Sequence, residues 1–133
     1  PRFAVTDPQA KELARYLDNG AVALASAKLG RATLVFSGSP AVTEMFLANM
    51  LEQAGGHLYT APGDVLFAGY GVVALHSRSA GEKVIRFPKT VDVYDLFGKK
   101  VVAQNVTSYR FKMSALETRV FLTGTPDEIA KLK

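Results

Sequence analysis

Apolar and polar positions follow two rhythms along this chain, and the change between them falls at Gly55-Gly56. Before that point one segment has helical spacing: Val42, Met45, Phe46, Leu47, Ala48, Met50 and Leu51 recur at three- and four-residue intervals. Ser39 as N-cap, Pro40 at the first helical position and the two glycines as a left-handed stop predict a helix over 40–54. Its apolar residues cover more than one stripe, so the helix is expected to be buried on two sides.

Upstream of it, Ala21 to Ala27 and Ala32 to Phe36 are apolar runs joined by Lys28-Leu29-Gly30-Arg31, which predicts a hairpin. Asn19-Gly20 marks another turn. Thr6-Asp7-Pro8 ends a short apolar run and leads into Lys11 to Leu17, where one or two helical turns are expected.

Downstream the rhythm is strand-like. Leu58–Thr60, Val65–Ala68, Val72–Ser77, Lys83–Phe87, Val91–Asp95, Lys100–Ala103, Ser108–Met113 and Thr118–Thr123 form eight candidate strands. Turn residues between them, among them Pro62-Gly63-Asp64, Pro88, Gly98 and Asn105, recur at sandwich-like spacing. Thr125-Pro126-Asp127 then caps a short helix over 127–132. The pattern predicts an α+β chain in two parts that share a core: an α/β segment over 1–56 and a mainly antiparallel β-sandwich over 57–133.

Composition narrows the chemistry. The 133 residues are 48% hydrophobic and 21% charged, which fits a folded chain and not a disordered one. The net charge of +4 comes from basic residues scattered singly or in pairs, such as Lys99-Lys100, so no nucleic-acid stripe is expected. Apolar runs are too short to span a bilayer, and no membrane partner is expected. With no cysteine, thiol chemistry and thiolate metal sites are excluded, and the compartment is left open. The chain opens on Pro1 without a leader, which reads as a piece of a longer protein.

Candidate reactive groups are few. His57 and His76 lack partners at metal-ligand spacing, so a structural ring beside a loop is expected for each. Asp92 and Asp95 invite comparison with a glycosidase carboxylate pair, but an i, i+3 pair on a strand faces opposite sides. Asp92 is therefore expected on the wet face and Asp95 at the start of the turn Leu96-Phe97-Gly98. Ser37-Gly38-Ser39-Pro40 lacks a phosphate-loop pattern, and no Gly-x-Ser-x-Gly elbow occurs. No catalytic, cofactor or metal residue is assigned. Tryptophan is absent, and the tyrosines Tyr70, Tyr94 and Tyr109 are the candidate carbohydrate contacts, since a phenol offers a ring face and a polar tip.

The order of short motifs carries a resemblance. Gly55-Gly56-His57-Leu58-Tyr59, Gly63-Asp64-Val65, Val73-Ala74-Leu75-His76-Ser77, Ala80-Gly81-Glu82-Lys83, Phe87-Pro88, Asp92-Val93-Tyr94-Asp95-Leu96-Phe97 and Glu117-Thr118-Arg119-Val120-Phe121-Leu122 resemble the C-terminal end of large β-galactosidase-like glycoside hydrolases. The strand over 30–38 and the following helix look like the end of the Rossmann-like domain that precedes the sandwich in such enzymes. The resemblance implies a non-catalytic structural and oligomerisation region, with a catalytic (β/α)8 barrel elsewhere as its partner and homo-oligomers as its assembly. The alternative it leaves open is a carbohydrate-binding module beside a separate active site.

Overall fold

A computed structural model describes residues 2–40 and 42–131. The chain divides into two compact units, residues 1–43 and 44–133.

The first unit is a three-stranded antiparallel sheet of β1 (Lys11–Arg15), β2 (Val22–Leu29) and β3 (Ala32–Ser37), in that spatial order. The expected hairpin is β2–β3, with Leu29 opposite Ala32 across Gly30-Arg31. The helix expected over 11–17 is instead β1. Its backbone pairs with β2, Lys11 opposite Ser26 and Glu12 opposite Ala25, and this long-range ladder outweighs a local helical preference. Asp7 accepts the Gln9 N–H at 2.9 Å and makes a turn, not a helix cap. Every strand pair in this unit is antiparallel. A Rossmann-like sheet pairs its strands in parallel through crossover helices, and the short connections over 16–21 and 30–31 leave no room for one.

The second unit opens with α1 (Glu44–Gln53). The helix is shorter than expected because the chain turns before it: the Val42 N–H donates to Pro40 O at 2.8 Å, and Ser39 lies too far upstream to be its N-cap. Its end matches the sequence expectation. Gly55, at φ +81°, donates to Glu52 O at 3.0 Å, and Gly56 donates to Leu51 O at 2.8 Å, the paired bonds of a Schellman stop. Burial on two sides is not found. Ala48 is buried, while Met45, Leu47 and Leu51 are exposed, because no second layer lies over them within the unit.

The remainder is a five-stranded antiparallel sheet in the order β4-β5-β8-β6-β7, followed by α2 (Pro126–Ala130). The strands are β4 (Val65–Gly69), β5 (Val72–His76), β6 (Gly81–Asp95), β7 (Lys100–Met113) and β8 (Thr118–Gly124). Two expected strand pairs are each one long strand. Lys83–Phe87 and Val91–Asp95 join as β6, and Lys100–Ala103 and Ser108–Met113 join as β7. Pro88 and Asn105, which read as breaks, lie at two successive irregularities instead: the register jumps between Arg86 and Val91, where Pro88 sits, and again between Val91 and Val93, where Asn105 takes φ +53°. Leu58–Thr60 is a loop that touches β6 through one bond, the Arg86 N–H to Tyr59 O at 2.7 Å.

The bulge bends the β6–β7 hairpin. Beyond it, Asp92 to Asp95 pair with β8, while before it Ile85 and Phe87 turn into the core. Val73 and Leu75 of β5, Val91 and Val93 of β6, Phe111 and Met113 of β7 and Phe121 of β8 complete that core. Phe111 meets Phe121 edge to face at 5.1 Å between ring centroids. The described architecture is thus mainly antiparallel β-sheet with two short helices.

Candidate functional site

The irregularity in β6 sets up a groove in the second unit. Phe87 and Val91 are buried, which forces the three residues between them, Pro88, Lys89 and Thr90, to arch outward. Pro88 suits the arch because it has no N–H for the ladder to lose. Opposite the arch stands the β4–β5 turn, Tyr70-Gly71, with Gly69 paired to Val72. Both turn residues have positive φ, +52° and +79°, as a two-residue turn of the I′ kind requires. Gly71 O accepts the Thr123 N–H at 2.6 Å, which ties the turn to the end of β8.

Between them lies a groove of about 490 Å³, lined by Tyr59, Tyr70, Pro88, Lys89, Thr123 and Glu128 among others. Tyr70 is fully exposed at its lip. Glu128 is fixed by the capping box of α2: its Oε2 accepts the Thr125 N–H at 2.7 Å and the Thr125 hydroxyl at 3.1 Å. These bonds, helped by the charges of Lys89 and Lys131, hold its carboxyl below the ordinary value against the opposing effect of burial.

The three tyrosines expected to contact carbohydrate are not brought together. Tyr70 lines the groove. Tyr94, on β6 opposite Leu122, is 8% exposed and has no ring face to offer. Tyr109 is half-buried, stacked on Phe111 at 5.0 Å and edge-on to Phe121 at 5.7 Å. Burial pushes its hydroxyl above the ordinary value, with Arg119 opposing and Asp95 adding to the shift. The groove residues that the sequence pattern did not single out are Lys89, Thr123 and Glu128. Only Glu128 had a local signal, as the fourth residue of the Thr125-x-x-Glu128 capping pattern.

Asp92 and Asp95 of β6 are committed to backbone, while Glu82 of the same strand pairs with Arg110. Asp95 Oδ1 accepts the N–H groups of Phe97 at 3.1 Å and Gly98 at 2.8 Å, which builds the expected turn. Asp92 is not on a wet face: it is 3% exposed, and its Oδ1 accepts the Asn105 N–H at 2.8 Å across the bulge. The unpaired N–H that a bulge leaves behind explains a buried carboxylate there. Each histidine ring meets one group of another element. His57 Nε2 meets Arg86 O at 3.0 Å, and His76 Nδ1 meets Thr118 Oγ1 at 2.8 Å. Among the described residues no three His, Asp or Glu side chains cluster at metal-binding range.

A second hollow, of about 330 Å³, lies beside the first arm of β6 and is lined by Asp64, Glu82, Lys83 and Arg86 among others. Lys83 Nζ pairs with Asp64 Oδ2 at 2.8 Å, both side chains about nine-tenths buried. The Arg78 N–H also donates to Asp64, at 3.0 Å. Lys83 and Asp64 thus satisfy each other's charge.

No family model matches the chain, and no curated protein matches it. Among solved structures, a β-galactosidase from Bacillus circulans sp. alkalophilus superposes with a TM-score of 0.59 at 16% sequence identity. The match covers 87% of this chain and 18% of that one, so the chain spans less than a fifth of that enzyme's length. At this identity the likeness is one of fold.

Proposed function

We propose that this chain is a non-catalytic accessory region of a carbohydrate-active glycoside hydrolase of the β-galactosidase type. The observation that carries the reading is the shared fold along 87% of the chain with a segment of a β-galactosidase. In this reading residues 57–133 are the C-terminal β-sandwich, and a catalytic barrel elsewhere is the partner. The chemistry of the second unit agrees: the three acids of β6 are all engaged, Asp92 and Asp95 with backbone N–H groups and Glu82 with Arg110. Self-association is the further part of the proposal. The first unit has Ala25 as its buried hydrophobic residue while Leu29, Leu34 and Phe36 are exposed, which is a poor balance for a free surface.

The test is incubation of the purified chain with a nitrophenyl β-galactoside. No release of nitrophenol above buffer is expected. Turnover that disappears in Asp92→Asn or Asp95→Asn would sink the reading. Light scattering after size exclusion is expected to give a dimer or larger species, and a strict monomer over a wide concentration range would remove the oligomerisation part.

A further inference from the structure

We propose that the groove between the Tyr70-Gly71 turn and the β6 arch binds a pyranose ring of a glycan, with Tyr70 as its stacking face and Lys89 and Glu128 as its hydroxyl partners. The choice of a sugar rests on the reading above, and the groove itself rests on the geometry.

Three observations converge. The first is the placement of Tyr70. A side chain with a Cβ is unfavourable at positive φ, and glycine, asparagine or aspartate usually fills this turn position. A tyrosine there is strained, and because its ring is fully exposed no packing repays the strain. Lys99, Asn105 and Leu116 share the conformation, at φ +49°, +53° and +60°, but none of them lines this groove. The second is chemical variety: a sugar offers an apolar C–H face and a rim of hydroxyls, and this groove offers aromatic and proline surface beside an ammonium and a carboxylate. The third is preorganisation. Glu128 is locked by the capping box through Oε2, so its carboxylate is already oriented before any ligand arrives. Tyr59 lines the groove from the loop, held edge-on by His57 at 4.7 Å between ring centroids.

The experiment is a titration of the ¹⁵N-labelled chain with lactose, with mannitol as an acyclic polyol control. Amide shifts are expected at Gly69 to Val72, Lys89 and Thr123 to Glu128 with lactose and not with mannitol. Tyr70→Gly is the decisive variant. It relieves the positive-φ strain, so its Tm is expected to rise while lactose binding weakens about tenfold or more. Glu128→Gln, which keeps an acceptor for the cap, is expected to weaken binding without unfolding α2. Absence of lactose shifts, equal shifts with mannitol, or shifts unchanged in Tyr70→Gly would each overturn the proposal. None of those results touches the accessory reading, which falls only if the chain hydrolyses the nitrophenyl galactoside.

Discussion

Lys83 reaches back across the hollow beside β6 to Asp64, and the 2.8 Å contact joins the loop before β4 to the first arm of β6. Removing one member of such a pair strands the other charge away from water. Lys83→Met is expected to cost about 3 kcal/mol, and the double variant with Asp64→Asn to recover part of it. Urea unfolding of the two variants checks this, and a single variant as stable as the parent would show that the pair is solvated.

The same pair sets an acid limit. Burial pushes the Asp64 carboxyl up, but the Lys83 hydrogen bond, the Arg78 N–H and the charges of both side chains hold it below the ordinary carboxylate value. A depressed folded pKa means that the contribution is present above the unfolded value, near 4, and is lost as pH falls through the folded one. Stability measured by urea between about pH 5 and 2 is expected to decline in that window, and more shallowly in Asp64→Asn.

Phe121 is fully buried and meets the rings of both Tyr109 and Phe111. Phe121→Ala leaves a cavity where the two arms of the β6–β7 hairpin meet β8. A loss of about 3–5 kcal/mol is expected, read as a lowered denaturation midpoint with an unchanged slope.

Gly71 tests the turn that carries Tyr70. A Cβ there would stand 3.0 Å from Thr123 O, at φ +79°. Gly71→Ala is expected to destabilise by about 1–3 kcal/mol, the opposite sign from Tyr70→Gly next to it. Thermal unfolding of the two variants separates them.

Local chemistry was legible in the sequence wherever a residue acts on its own neighbours. The Gly55-Gly56 stop, the Asp95 turn, the Leu29–Ala32 hairpin and the Thr125 cap all follow from residue type and spacing. What the sequence did not disclose depends on distant chain. Lys11 to Arg15 became a strand because β2 was there to pair with it. Asp92 is buried because Asn105, on another strand, needed an acceptor. Pro88 reads locally as a break, and only the pairing of β6 with β7 on both sides of it shows an arch. The groove was illegible for the same reason. Tyr70, Lys89 and Glu128 are far apart in sequence, and it takes the bend and the β4–β5 turn to set them around one hollow.

That arch also bears on how the unit comes apart. Ile85 lies before it and Val93 after it, each fully buried, on one strand that pairs with β7 along both arms. No loop separates the two arms, so a fluctuation that frees one pulls on the ladder of the other. Amide exchange at Ile85 and Val93 should therefore share one opening free energy, and the hairpin should yield to a protease or a pulling force as one element.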